Sequence, residues 1–270
     1  MKLYLYGIID SYNHIEESIY GLEGAGVYNI PFCDIGAVVS EISQPIQEAT
    51  EGAVLEHEAV VEKLMADFTV LPARFQTVIK GRDNLLSMMQ SYYRDFKDNL
   101  ERLYNKFEFG IKVIWNADKI KENILKILKK DEQKKLDPGG STGKRFMNEK
   151  FEKYKIDKEF EAKADTLIKV MDIFFSKFAV EKKLEKLKTE NLLLDAVYLV
   201  EQDEESNFKE AFEHIKSARP DFKYLFSGPW PAYNFVVLSE KSGLLRNSGP
   251  AGLFDKVIQP HTLVGANSIW

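Results

Sequence analysis

A single cysteine, Cys33, and only four histidines are spread over 270 residues. One thiol excludes an internal disulfide, and the Cys/His groups of an ordinary structural zinc site are missing. Long apolar runs are absent too, since no stretch approaches the roughly 20 residues that cross a bilayer. Met1 to Asp10 holds one lysine, has no extended apolar region and shows no small-residue cleavage site, so it reads as a first strand rather than a signal peptide. These absences lead us to expect a soluble intracellular protein.

What is present suits a folded chain. Hydrophobic residues make up 44% and aromatics 12%, which argues against global disorder, and the length allows two domains with a core each. The net charge of −5 hides an asymmetry. Residues 1–107 carry 9 basic and 16 acidic groups, residues 118–190 carry 20 and 15, and residues 191–270 carry 7 and 10. In the basic middle, lysines alternate with glutamates and aspartates at helical spacing, the pattern of a solvated helical face rather than a nucleic-acid footprint.

Lys2 to Ile9 alternates β-favouring residues, and Val27 to Phe32 and Ile35 to Ser40 read as strands joined by a tight turn at Cys33-Asp34. Ala53 to Phe68 changes to a helical period, with Val54, His57, Val61, Leu64 and Phe68 on one stripe. Thr69 to Phe75 contains Pro72, which fits an edge strand or a bulge. Asp83 is placed to cap a helix carrying Leu85, Met89, Tyr92, Phe96, Leu100 and Leu103. Phe107 to Trp115 reads as a strand and Asp118 to Lys135 as a lysine-rich helix. After the Asp137 to Gly143 breaker comes a long helix with a seam of Phe160, Ala164, Leu167, Met171, Phe174 and Phe178. Leu192 to Val200 is a strand and Ser206 to Ala218 a helix, and Phe222 to Phe226 with Tyr233 to Leu238 make a final strand pair. The order is α+β and compatible with a modified ferredoxin-like sheet. We therefore expect an N-terminal α+β domain over 1–107, a modified ferredoxin-like domain with long helices over 108–245, and a glycine- and proline-punctuated extension over 246–270.

Motifs of catalysis are incomplete. His57-Glu58 lacks the second histidine of a zinc protease, since Val61 stands four residues on. Gly139 to Gly143 has the residues of a nucleophile elbow but follows a charged helix and Asp-Pro instead of a hydrophobic strand. At Gly143-Lys144 a phosphate loop would need glycine at Pro138 and Ser or Thr at Arg145. No catalytic, cofactor or metal residue is assigned. His57, Glu58 and Arg74 are expected to be structural, with Arg74 pinning its strand to the His57 helix through a carboxylate such as Glu56 or Glu58. Ser227 to Pro231 brackets Trp230 with prolines, a turn that either buries the indole or presents it to a partner.

Several blocks together resemble the gas vesicle accessory proteins of the F/L family. They are the first strand ending Tyr6-Gly7-Ile8; Asp34 to Ser40; His57-Glu58-Ala59-Val60-Val61; Leu71-Pro72-Ala73-Arg74-Phe75-Gln76-Thr77; Phe109 to Val113; Gly143 to Phe146; and Phe226-Ser227-Gly228-Pro229-Trp230-Pro231-Ala232-Tyr233-Asn234-Phe235. Their order and spacing extend to about Leu238. Cys33 departs from the glycine expected before the Asp34 turn, and the tail after Lys241 matches no family pattern. The resemblance implies a non-enzymatic, chaperone-like accessory protein without a cofactor, cytoplasmic and associated with gas vesicles. Its implied partners are the hydrophobic shell protein and other accessory proteins, and it implies two α+β domains, the second a modified ferredoxin fold. A binder of such a subunit needs an apolar surface rimmed by charge, for which the Phe160 to Phe178 seam, the turn with Trp230 and Tyr233, and the tail with Leu253, Phe254 and Trp270 are the candidates. Two other classes are weighed beside it: a ferredoxin-like nucleic-acid-binding module, which would need the aromatic consensus of an RNA-binding sheet, and a small-molecule enzyme using an interdomain cleft.

Overall fold

Tyr and Leu alternate along Lys2–Ile9 (β1), and the strand is buried from Leu3 to Ile9. Because successive side chains point to opposite faces, both faces of β1 need a cover. Here β1 belongs to the computed structural model of the chain, which describes residues 2–15, 19–43, 50–132, 142–185 and 189–239. Those residues gather into two compact units. The first holds the residues up to Phe109, Leu199–Gln202 and the described residues from Ser227 on; the second holds Gly110–Tyr198 and Asp203–Phe226.

In the first unit β1 pairs antiparallel with Ile35–Ile42 (β3), which pairs antiparallel with Val27–Phe32 (β2). On its other side β1 takes two short strands, Val70–Pro72 (β4) and Val78–Lys80 (β5). The sheet order is β2-β3-β1-β4, with β5 also on β1. Pro72 falls on the outer strand β4, where a missing N–H is tolerated. Residues Val78–Lys80, too short to show a period, were not foreseen as a strand.

Glu51–Met65 forms helix α1, capped by Thr50 Oγ1, which accepts from the Ala53 N–H at 3.3 Å. Its buried stripe holds Val54, His57, Val61 and Leu64, as the spacing predicts, with Val61 and Leu64 packing beside Tyr4, Tyr6 and Val38; Phe68, expected on the same stripe, falls past the helix end and is half-buried. Gly81–Leu103 forms α2, whose buried residues are Leu85, Met88, Met89, Tyr92, Phe96, Asn99, Leu100 and Leu103. The helix starts before the expected cap: Asp83 lies within its first turn, where a carboxylate still complements the helix dipole.

The second sheet has the order β7-β8-β6-β9, built from Ala179–Glu185 (β7), Leu192–Glu201 (β8), Lys106–Ile114 (β6) and Lys223–Trp230 (β9). Strand β7 escaped sequence reading because its Glu181, Lys182, Lys183 and Glu185 mask any apolar period; such charges blunt an outer strand against pairing. Within the second unit run helices Ala117–Glu132 (α3), Thr142–Phe175 (α4) and Glu205–Ala218 (α5). Phe175, Tyr198 and Phe208 form a triangle with centroids 5.6–5.8 Å apart, and Phe212 lies 4.5 Å from Phe226. On α4 the buried seam is Phe160, Ala164, Met171 and Phe175. Phe175 takes the place that spacing gave to Phe174. Asp172 on α4 accepts from Ser176 at 2.9 Å and Tyr198 at 3.3 Å and pairs with Lys182 of β7, tying the helix end to the sheet.

The β2–β3 turn carries a cost. Cys33 has φ +54°, in the left-handed region where a side chain costs about 1–2 kcal/mol. The expected glycine is therefore what the backbone wants. We predict that Cys33→Gly raises stability by roughly 0.5–1 kcal/mol, the strain relief less the added entropy of a freer unfolded chain. Urea midpoints test it: a rise for Cys33→Gly with none for Cys33→Ala is expected, and a fall for Cys33→Gly refutes it.

Candidate functional site

Three of the sequence blocks meet inside the first unit. The Tyr4 and Tyr6 rings are fully buried, so their hydroxyls need partners there. Tyr4 OH lies 3.0 Å from His57 Nδ1 and accepts from the Gln76 N–H at 2.9 Å. Tyr6 OH lies 3.0 Å from Ser40 Oγ and accepts from the Leu22 N–H at 3.0 Å. Gly21 makes room for that hydroxyl, because a Cβ there would stand 1.9 Å from it.

The Gln76 contact depends on a turn. Thr77 N–H closes onto the Arg74 carbonyl at 3.1 Å, and Gln76 sits at φ +67°. This turn also brings the Phe75 ring to 5.9 Å from His57 at 84°. His57 is thus boxed by Phe75, by Tyr4 at 5.7 Å edge-on and by Tyr6 stacked at 5.5 Å. Burial pulls the imidazole down to about 4, while the Ala73 carbonyl favours the protonated ring more weakly. His57 is therefore neutral at neutral pH. Giving its own proton to Nδ1 while accepting from Gln76 pairs Tyr4 OH as both donor and acceptor; in that tautomer the ring proton sits on Nε2, which makes no hydrogen bond of ordinary geometry among the described residues.

Glu58, next along α1, meets the third block. Its Oε1 accepts from the Tyr233 hydroxyl at 3.3 Å, and both side chains are buried. Burial pushes the Glu58 carboxyl up to about 7, with Tyr233 pulling it down and Glu62 pushing it up by smaller amounts. The same burial and the neighbouring Glu58 raise Tyr233 well above the ordinary phenol.

From Tyr233 onward the chain is strapped to the first unit, and it does not form the strand expected over Tyr233 to Leu238. The Tyr233 and Phe235 N–H groups bond the Pro231 and Ala232 carbonyls within the segment, and several other backbone groups are taken by side chains. Glu108 on β6 accepts from the Asn234 N–H at 2.8 Å and from the Asn234 side-chain amide at 2.5 Å. Arg102 donates to the Phe235 carbonyl. Asn99 holds Val237 at both ends, donating to its carbonyl at 2.6 Å and accepting from its N–H at 2.9 Å. Asp95 accepts from the Ser239 N–H at 3.0 Å. Asp95, Asn99 and Arg102 are four and three residues apart on α2, so they form one ladder along the helix. Gly228, at φ +113°, lets the incoming strand approach β6, since a Cβ there would stand 2.6 Å from the Glu108 carbonyl.

The proposed site residues fall as follows. His57 and Glu58 are buried within this network, and Arg74 is half-buried at the turn after β4. Tyr233 is 5% exposed, while Trp230 at the end of β9 is partly exposed with Nε1 lacking an acceptor among the described residues. Leu253, Phe254 and Trp270 lie outside the described residues, as does most of the Gly139 to Gly143 stretch. Sequence reading missed the Asp95-Asn99-Arg102 ladder; polar residues on a helix edge carry no mark of the chain they hold. A polar pocket of about 230 Å³ in the same unit is lined in part by Asp10, Asp67, Asn105 and Lys106. Its groups are engaged locally: Asp10 accepts from the Thr69 N–H, and the Asn105 carbonyl from the Gln202 N–H, both at 3.0 Å. Among the described residues no group of three or more His, Cys, Asp or Glu side chains gathers as metal ligands, and no helix is long and apolar enough to cross a membrane. Buried tyrosines, a neutral imidazole and a shielded carboxyl are a structural network that fixes the positions of α1, the Arg74 turn and the strap.

The mixed α and β scaffold has counterparts among known proteins. The profile described as "Gas vesicle synthesis protein GvpL/GvpF" matches residues 2–237. Gas vesicle protein F2 of Halobacterium salinarum is 26% identical over 240 residues, covering 87% of this chain and 91% of the relative. Gas vesicle protein F of Dolichospermum flosaquae is 29% identical over 224 residues, covering 80% and 89%. The crystal structure of the gas vesicle protein GvpF from Anabaena sp. PCC7120 superposes with a TM-score of 0.77 at 22% identity, covering 88% of this chain and 99% of that one. The fold is thus that of a gas vesicle accessory protein. This chain belongs to the GvpL/GvpF family of gas vesicle synthesis proteins.

Two predictions follow from the network. Glu58 favours folding fully below its ordinary 4.5, and that contribution is lost as pH rises through about 7. His57 works in the other direction: its contribution is full above 6.5 and lost as pH falls through about 4. Between about pH 4.5 and 6.5 the two slopes, each up to about 1.4 kcal/mol per pH unit, oppose one another. Glu58→Gln should make stability fall on acidification across that window, and His57→Gln should make it fall on alkalinisation. Urea unfolding at three pH values checks both, and equal slopes in the two variants would sink the idea. Separately, Asn99→Leu leaves the Val237 N–H and carbonyl unpaired at a cost of roughly 1–3 kcal/mol. Faster proteolytic cleavage within 231–239 is expected; wild-type cleavage rates would show that the clamp does not hold the strap.

Proposed function

We propose that this protein binds the small hydrophobic shell protein of gas vesicles and assists its assembly, acting in the cytoplasm and at the vesicle together with other accessory proteins. The family match over residues 2–237 carries this reading. A shell subunit that buries its apolar surface only on polymerisation needs a soluble partner beforehand, and such a partner needs apolar contact groups set among polar ones. Trp230 supports that role through its partly exposed side chain, although its indole Nε1 is itself buried. Tyr233 supports it from within, by anchoring the segment that follows Trp230 to Glu58. Leu253, Phe254 and Trp270 are proposed to extend the contact. The reading assigns no catalytic step to the chain. It retains the division into residues 1–107, 108–245 and 246–270, with a modified ferredoxin-like second domain, as a proposal supported by the α+β order of elements.

Co-expression with the shell protein, followed by pulldown and sedimentation, tests the reading. Soluble shell protein should copurify with the full chain, and Trp230→Ala or removal of residues 246–270 should lower recovery severalfold. Absence of copurification with the wild-type chain would overturn the function; wild-type recovery in both variants would overturn the assignment of the surface.

A further inference from the structure

Glu58 is a carboxyl with little around it to balance a charge. It is 8% exposed, it accepts from the Tyr233 hydroxyl at 3.3 Å, and no lysine or arginine pairs with it among the described residues. The titratable groups set around it are the phenols Tyr4 of β1 and Tyr233 of the strap, Glu62 one turn along α1 and, beside Tyr233, Glu108 of β6. His57, its neighbour on α1, turns inward to the Tyr4 hydroxyl and is neutral. An ionised carboxylate is costly in such surroundings. Burial accordingly pushes the carboxyl up to about 7, more than Tyr233 pulls it down.

The burial of Glu58 is local. Leu55 and Glu62 lie within about 60° of it around the helix axis, and both are exposed, whereas Val54 and Val61 on its other flank are buried. Glu58 thus stands at the margin where α1 turns from core to water, and the Tyr233 side chain that reaches it is its cover. The segment carrying that cover is not a strand, and Glu108, Arg102, Asn99 and Asp95 fasten its main chain from outside. A segment held by a few such bonds can open while the sheet beneath stays intact. We propose that residues 233–239 form a pH-sensitive latch, which stays shut while Glu58 carries a proton and loosens when Glu58 ionises, because lifting Tyr233 lets water reach the carboxylate. The carboxyl sits near 7 in the shut state and returns toward its ordinary 4.5 in the open one, so loss of the proton favours opening. The shut state is fully favoured below about 4.5 and loses that advantage as pH rises through about 7. His57 remains covered by Tyr4, Tyr6 and Phe75 in both states and takes no part.

The latch does not depend on the shell-protein reading. Native-state hydrogen exchange on the full chain, corrected for the intrinsic pH dependence of exchange, tests it. Between about pH 5 and 8 the protection of the Asn234, Val237 and Ser239 amides should fall tenfold or more. Amides of β1 and β3, which exchange on global unfolding, should change severalfold at most, because His57 offsets Glu58 there over much of that range. Glu58→Gln keeps the shape of the protonated acid and should leave the strap amides without a pH dependence of their own. Strap protection that is flat in the wild type overturns the proposal, and so does an equal loss in strap and sheet, which would make the effect global. A second readout is the carboxyl carbon-13 titration of Glu58. Tyr233→Ala should bring it down toward 4.5, and a carboxyl that still titrates near 7 without the ring would overturn Tyr233 as its cover. The wild-type exchange comparison decides the matter even where a variant fails to fold.

Discussion

Two tyrosine hydroxyls placed beneath a helix set the terms for the rest of the first unit. Leaving a buried hydroxyl unpaired costs about 1–3 kcal/mol, so Tyr4 and Tyr6 dictate where their partners must lie. Those partners come from separated parts of the chain: Leu22 before β2, Ser40 on β3, His57 on α1 and Gln76 in the turn before β5. A shift of one residue in any of these elements would strand a polar atom in an apolar interior. The network therefore fixes register as well as contributing stability.

His57 and Glu58 extend this control in different directions. His57 turns inward to the tyrosines, and Glu58 reaches the returning C-terminal segment through Tyr233. One turn of α1 thus couples the first strand of the chain to a residue 175 positions further along than Glu58. The second unit packs rings together, with Phe175, Tyr198 and Phe208 in mutual contact and the Tyr198 and Ser176 hydroxyls donating to Asp172 at the helix end. Both units share the device of a helix stripe read directly from apolar spacing, seen at Val54, His57, Val61 and Leu64 and again at Phe160, Ala164 and Met171.

Much of this was legible beforehand. β1, the β2–β3 hairpin, α1, β6, β8 and α5 follow from period and turn residues, and three of the blocks that carried the family resemblance, those of β1, His57 and Arg74, meet in the first unit. Three things were not legible. Val78–Lys80 is too short for a period to show, Ala179–Glu185 hides its extended form beneath alternating charge, and residues 233–239 look like a strand because their apolar residues are spaced like one. In the last case the competing signal was the set of side chains waiting on α2 and β6, which no local window contains. His57 was readable as structural, but its tyrosine partners were not, because nothing local to Tyr4 says which helix will cover it.

The strap has an evolutionary corollary. Arg102, Asn99 and Asp95 grip main-chain carbonyl and amide groups of Phe235, Val237 and Ser239, which every residue except proline supplies in the same form. Where the gripped side chain points to solvent, as at Val237, its identity is released from selection, unlike that of buried Phe235 or of Ser239, whose hydroxyl also donates to Asp95; the number of residues between Trp230 and Ser239 is not released. Substitutions at exposed Val237 should accumulate freely in descendants of the gene, and single-residue insertions or deletions should be purged, since each would bring the wrong main-chain group to every rung.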